Sequence, residues 1–213
     1  MKPMSHLYLH GFASSPQGEK AKFLRGKYQE LEDQRFLAVN FNPTREDFQR
    51  MTITGMINRL RQYILDHELE GPHLIGSSLG GLISLRYAAD YPTGKILLLA
   101  PLLAYQSLNM SDQALAMWEK QDTLEIDHYA FPGKIPLSYQ FHGDGLNYQD
   151  MIQPPGEIMI LHGRSDERVP IEDSRYYAEK YPEQVQLIEV DSDHRLADQH
   201  AQIWDLVREF LLN

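Results

Sequence analysis

The sequence predicts one domain over residues 1–213, built on a doubly wound, mostly parallel α/β sheet of about six strands with an inserted cap or lid at about 102–155. Three observations carry this expectation. Short β-rich runs alternate along the chain with segments of helical periodicity, as in a sheet wound with crossover helices. Several of those runs are apolar at consecutive positions, which suits strands buried on both faces. The 213 residues contain no Pro/Gly/Ser-rich linker that would divide them into halves of separate composition.

In chain order, the first strand is HLYLH (6–10), and a helix follows at about 18–31. FLAVN (36–40) leads to a helix at about 48–69, where Ile53, Met56, Ile57, Leu60, Ile64 and Leu65 recur at spacings of three and four, the stripe a surface helix buries against a sheet. HLIGS (73–77) runs directly into a helix at 79–90, and KILLLA (95–100) is the next buried strand. From Leu102 to Pro155 the rhythm breaks. A helical piece from Ser111 to Lys120 precedes TLEIDHYAFPGKIPLSYQF, whose central Phe-Pro-Gly-Lys reads as a turn between two extended arms. That stretch is too long for a plain connection, hence the expected cap. EIMILHG (157–163), a helix at 171–180, VQLIEV (185–190) and a helix at 198–212 complete the order. Right-handed crossovers place every strand-to-helix turn along one sheet edge, where a site belongs.

Composition narrows the function. No apolar run approaches the twenty or so residues of a membrane span, and the N-terminal MKPMSHLYLHGF lacks the long apolar stretch and cleavage site of a signal peptide, so the cytoplasm is the expected location. The chain has no cysteine, which removes thiol nucleophiles, disulfides and thiolate metal sites. A formal net charge of −10 argues against a nucleic-acid partner, because phosphate contact needs a basic surface.

The chemistry centres on Gly76-Ser77-Ser78-Leu79-Gly80, a Gly-x-Ser-x-Gly pattern between an apolar strand and a good helix. A strand that turns at once into a helix holds the residue at its tip in a strained conformation, clear of the sheet edge, and flanking glycines remove side chains that would collide there. Ser78 is the expected nucleophile; Ser77 lacks the glycine framing. A serine hydroxyl needs a base, and the base needs a group to aim it. His194, in DSDHRL after the last strand, is the expected base, with His200 in reserve. Asp166, in LHGRSDERVP, is the expected acid, with Asp191 and Asp193 as alternatives. His10, His73, His128, His142 and His162 read as structural or pocket-lining. The oxyanion of an acyl-transfer intermediate needs aimed N–H donors, and the turn His10-Gly11-Phe12 after the first strand offers the amide of Phe12 beside that of Leu79.

Together, YLHGF, SSP, GSSLGG, HGRSDERVP and DSDH resemble the motifs of the α/β-hydrolase superfamily, and of its small YqiA/YcfP-type serine esterases in particular. Those esterases share the N-terminal pattern followed by a Lys-Ala-containing helix, here Glu19-Lys20-Ala21-Lys22. The region from Trp118 to Tyr139 also resembles lid-bearing acyl-protein thioesterases and acyl-glucuronide esterases. The resemblance implies Ser78, Asp166 and His194 as nucleophile, acid and base, Phe12 and Leu79 as oxyanion donors, and neither metal nor organic cofactor. The lack of an HExxH motif, a cysteine cluster or a Walker loop points the same way.

The expected activity is hydrolysis of a small-molecule carboxylic ester through an acyl-enzyme. Two alternatives stay open: thioester hydrolysis on the same residues, and a non-catalytic binding protein on a hydrolase scaffold. Tyr105, Leu108, Met110, Met117, Trp118 and Tyr129 offer an apolar wall for an acyl group, although an aromatic and Met-rich helix is more often plain core packing.

Overall fold

The computed structural model describes residues 3–105 and 110–213. In chain order the elements are β1 (Met4–Leu9), α1 (Glu19–Tyr28), β2 (Gln34–Val39), α2 (Arg45–Gln49), α3 (Ile53–Asp66), β3 (His73–Ser77), α4 (Leu79–Asp90) and β4 (Ile96–Leu99). They continue with α5 (Asp112–Gln121), β5 (Thr123–Asp127), β6 (Lys134–Ser138), α6 (Gln140–Gly145), β7 (Ile158–Gly163), α7 (Ile171–Lys180), β8 (Val185–Val190) and α8 (His200–Leu206), which runs on into a π-helical turn at Val207–Leu211.

Six strands form one wholly parallel sheet in the order β2-β1-β3-β4-β7-β8. Alternate side chains bury on opposite faces, so both faces are apolar. Leu7, Leu74, Leu98 and Ile160 point into a cluster with Met56 and Leu60 of α3, Leu82 of α4 and Tyr177 of α7. Tyr8, Ile75, Leu97 and Leu161 point into a second cluster with Leu24 of α1 and Ile203 and Leu206 of α8. Each fully buried Leu or Ile contributes about 2 kcal/mol, which is why these strands need no polar face. The chain winds from β1 outward to β2, then crosses back over β1 to start β3 on its other side. Such a reversal opens a crevice at the carboxyl ends of the two strands.

Local chemistry moved some expected boundaries. The single helix expected at 48–69 is two, because two threonines cap separate starts. Thr44 accepts from the Asp47 amide in a capping box that begins α2, and Thr52 accepts from Gly55 to begin α3. Ile53, Met56, Leu60 and Ile64 form the buried stripe of α3 and Ile57 is partly buried, but Leu65 is 57% exposed and lies off it.

Between β4 and β7 the chain forms α5, an antiparallel hairpin and α6. The hairpin reads as expected: Thr123 pairs with Ser138 and Asp127 with Lys134, around a turn that contains Phe131-Pro132-Gly133. Trp118, Ile135, Leu137 and Phe141 from this stretch bury in the same cluster as Leu7 and Leu74. Arg45 bonds the carbonyls of Pro132 and Lys134 at 2.6 and 2.8 Å, and Tyr129 donates its amide to Ala13 at 3.1 Å, fastening the hairpin turn beside the loop after β1. Among the described residues, no helix is long and apolar enough to cross a membrane.

The join between β1 and α4 depends on Gly80. A Cβ there would lie 2.1 Å from the carbonyl oxygen of Leu9, which is backbone and cannot rotate aside. Gly80→Ala should therefore cost about 3 kcal/mol and lower the thermal midpoint by roughly 10 °C. Gly143→Ala, whose new methyl would meet nothing within 4 Å, serves as the control and should stay near wild type in the same thermal melt.

Candidate active site

Ser78 stands at the tip between β3 and α4 with φ +52° and ψ −120°. A non-glycine residue held there stores about 1–3 kcal/mol, and only a surrounding structure that fixes both flanks keeps it so. The flanks are fixed. The Ser78 amide donates to Leu99 of β4, and the Ser78 carbonyl accepts from the amides of Gly81 and Leu102. At Gly76 a Cβ would lie 2.5 Å from the Ser84 hydroxyl and 2.6 Å from the Gly80 carbonyl, so the first glycine of the motif lets the strand and helix close on each other.

The structure brings the three predicted side chains together from the ends of β3, β7 and β8. His194 Nε2 lies 3.0 Å from Ser78 Oγ, and His194 Nδ1 lies 2.7 Å from Asp166 Oδ2. Because a carboxylate only accepts, Nδ1 carries the proton and Nε2 is left bare toward the serine. The His194 side chain is 16% exposed and that of Asp166 is fully buried. Burial alone would push the Asp166 carboxyl up, but hydrogen bonds from His162, His194 and the Val169 amide outweigh it and hold the group well below the usual carboxylate range. The alternatives from the sequence take no part in this run of hydrogen bonds. Asp193 accepts from the Arg195 amide at 2.8 Å as a loop cap, Asp191 is exposed, and the His200 ring stacks on Phe23.

Two histidines have roles that the sequence did not reveal. His162 is fully buried behind the acid, with Nε2 3.1 Å from both Asp166 Oδ2 and the Val169 carbonyl, and Nδ1 2.8 Å from Ser174 Oγ. Two acceptors on Nε2 place its proton there, so Nδ1 accepts from the Ser174 hydroxyl. His10 lies under the loop after β1. Its Nε2 accepts from the Phe41 amide at 3.3 Å, so Nδ1 donates to the Gly11 carbonyl at 2.9 Å. Burial lowers the His10 pKa to about 4, which keeps the ring in this neutral, one-donor form at neutral pH.

That loop presses against the serine. A Cβ on Gly11 would lie 3.1 Å from Ser78 Cβ, and the Phe12 ring packs between Phe48 and Phe141 at 5.7 and 5.6 Å. Gly11, Phe12 and Ser78 share one cleft of about 290 Å³. Neither the Phe12 nor the Leu79 N–H is taken up by a turn or cap hydrogen bond among the described residues.

The expected apolar wall is not where the sequence put it. Only Tyr129, 76% exposed, lines the cleft. Trp118 is buried with its indole N–H on the Leu137 carbonyl at 3.0 Å, and Tyr105 is buried with its hydroxyl 3.0 Å from His142 Nδ1. Met110 is partly buried against the core and Met117 is half exposed on α5. Trp118, Tyr105 and Met110 pack the segment between β4 and β7 onto the body, Met117 lines neither the core nor the cleft, and Leu108 lies outside the described residues. The side chains that do line it are mostly polar, among them Ser14, Gln17, Lys20, Arg168 and Arg195.

The model of an uncharacterised protein family, UPF0227, matches residues 5–211. No curated protein matches the sequence. Among solved structures, the chain is similar to a putative hydrolase from Agrobacterium vitis S4, with 21% identity, a TM-score of 0.78, and coverage of 97% of this chain and 87% of that one. It is also similar to Est1E from Butyrivibrio proteoclasticus bound to ferulic acid, at 18% identity and a TM-score of 0.79 over 99% and 89% of the two chains. A third likeness is to mouse alpha/beta hydrolase domain-containing protein 10, at 22% identity and a TM-score of 0.72 over 96% and 90%. At these identities the likeness establishes the α/β-hydrolase fold.

Proposed function

The chain belongs to the UPF0227 family, and we propose that this member is a serine hydrolase that cleaves small carboxylic esters through an acyl-enzyme. One observation carries the reading: an unbroken run from Asp166 through His194 to the hydroxyl of Ser78, at 2.7 and 3.0 Å, on a serine held at positive φ.

Ser78 Oγ attacks the ester carbonyl while His194 Nε2 takes its proton. Asp166 stays ionised, steadies the imidazolium and fixes its tautomer. The oxygen of the tetrahedral intermediate sits against the N–H groups of Phe12 and Leu79, donors of a kind whose loss costs about 10²–10³-fold in kcat. His194 then returns the proton to the leaving alcohol. Water repeats the sequence on the acyl-enzyme and releases the acid, so each proton taken is given back. The acid's depressed pKa supports this reading, because an aspartate that stays charged at neutral pH is what the imidazolium requires.

A fluorophosphonate separates this reading from a binding protein with an inert serine. The expected result is stoichiometric modification at Ser78, located by peptide mass spectrometry, with parallel loss of 4-nitrophenyl butyrate hydrolysis. A folded protein that stays unlabelled would reject it.

A further inference from the structure

Glu19-Lys20-Ala21-Lys22 stands out in the sequence, yet the proposed chemistry gives it no part. In the fold it opens α1 at the rim of the cleft, and Lys20 is one of the residues that line it. Lys20 Nζ donates to the carbonyl of Arg195, the neighbour of His194, at 2.5 Å. An ammonium has three protons, so two remain for another acceptor. His200 lines the same cleft. Its Nε2 is buried and has no hydrogen-bond partner among the described residues.

The charged side chains around this space are unlike the chain as a whole. Lys20, Arg168 and Arg195 line the cleft against Glu19, in a protein of net charge −10. Glu19 is engaged with Arg195 at 3.7 Å, and Arg168 has no ion-pair partner among the described residues. Asp193, close enough to Lys20 to act on its charge, is the other acid nearby. Resting on the serine-hydrolase reading, we infer that the cleft selects esters carrying an anionic oxygen group, and that Lys20 and His200 form the subsite that receives it. An oxyanion there would take up the spare donors of Lys20, which are costly to leave partly buried and unsatisfied, in a space that His200 also lines and could serve as a donor once a ring nitrogen that carries its proton turns to the cleft. The cleft of about 290 Å³, with Lys20, Arg168 and Arg195 among its lining residues, suits a compact charged substrate.

The titration of Lys20 adds a handle. Burial, with Arg195 beside it, lowers its pKa to about 8 against the opposing pull of Glu19 and Asp193. His194, His200, Arg168, Tyr8 and Tyr129 are the other titratable or charged groups that line the cleft. Preference for an anionic ester should therefore fade as pH rises through about 8. A ratio of two substrates cancels the pH dependence of the chemical step that both share.

The test compares three chromogenic esters, each rate divided by its hydroxide-catalysed rate: neutral 4-nitrophenyl butyrate, mono-(4-nitrophenyl) glutarate with its carboxylate on the acyl side, and 4-nitro-3-(butanoyloxy)benzoate with its carboxylate on the leaving group. At low salt at least one anionic ester should exceed the neutral one by about tenfold in kcat/KM, and which one tells the side of the scissile bond the subsite serves. Lys20→Met should bring that ratio toward one whatever happens to the absolute rates, Lys20→Arg should keep most of it, and added salt should erode it in the wild type. Arg168→Gln, at an exposed position, should lower the ratio by a smaller factor and is available if the Lys20 variants do not fold. Wild-type ratios at or below one for both anionic esters, or a ratio unmoved in folded Lys20→Met, would overturn the inference while leaving the hydrolase reading intact. Hydrolysis of none of the three would remove the hydrolase reading and this inference with it.

Discussion

Ser78→Ala is expected to lower kcat for 4-nitrophenyl butyrate by about 10⁵-fold while moving the thermal midpoint by no more than about 2 °C. Alanine keeps the Cβ and the same positive φ, so the strained tip and its hydrogen bonds to Leu99, Gly81 and Leu102 persist. What disappears is the one oxygen 3.0 Å from His194 Nε2. Ser77 cannot replace it, being buried at the end of β3 with its hydroxyl bonded to Tyr8. A residue of activity should survive, because His194 can still draw a proton from water and the substitution leaves the proposed oxyanion donors, the amides of Phe12 and Leu79, in place; such residues run about 10³-fold above the uncatalysed rate. Steady-state rates on a preparation titrated for wild-type contamination decide the matter, and undiminished turnover would place the nucleophile elsewhere.

The parts of the fold and site legible in the sequence are those whose signal is local. β3, the elbow and α4 form one unbroken stretch, and the apolar strand, the spaced glycines and the helix that follows all point to the same turn. Asp166 and His194 could be chosen because each follows a strand, and a parallel sheet carries all such loops to one edge. Where the signal lies in a distant partner, the sequence is silent. His10 is tied to Phe41, 31 residues on, and Lys20 to Arg195, 175 residues on, so neither side chain has a meaning until the sheet is assembled.

The segment between β4 and β7 misled for a related reason. Aromatic and Met-rich helices look alike whether they line a pocket or fill a core, and periodicity does not say which way the stripe is turned. Trp118 faces inward because its indole N–H finds the Leu137 carbonyl, a pairing that exists only once β6 lies alongside. Leu65 erred in the opposite sense, continuing the spacing of α3 one position beyond the stripe it buries. Thr52, which divides the expected helix at 48–69, carried a usable local signal as a capping residue placed just before an apolar repeat.

Asp166→Asn should reduce kcat by about 10⁴-fold although it replaces a single oxygen with a nitrogen of the same size. The carboxylate receives four donors: Oδ2 from His194 at 2.7 Å and His162 at 3.1 Å, and Oδ1 from the amides of Arg168 and Val169, both at 2.9 Å. An asparagine must turn its NH₂ toward one of these pairs. Backbone amides cannot become acceptors, whereas imidazoles can change tautomer, so the NH₂ will face the histidines. His194 then accepts at Nδ1 and carries its proton on Nε2, pointing at a hydroxyl it was to deprotonate. The loss should fall in kcat with little change in KM, since no group that meets the substrate has moved. Stability gives an independent reading. Asp166 has a lower pKa folded than unfolded, so in the wild type it adds stability that is fully present above the ordinary carboxylate range and is lost as pH falls through that range toward the folded value. Asparagine has nothing to titrate, and the thermal midpoint of the variant should fall less steeply below about pH 4 than that of the wild type. Parallel acid limbs in the two proteins would show that the carboxylate is not held by the donors around it, and an undiminished kcat would show that it does not set the tautomer of His194.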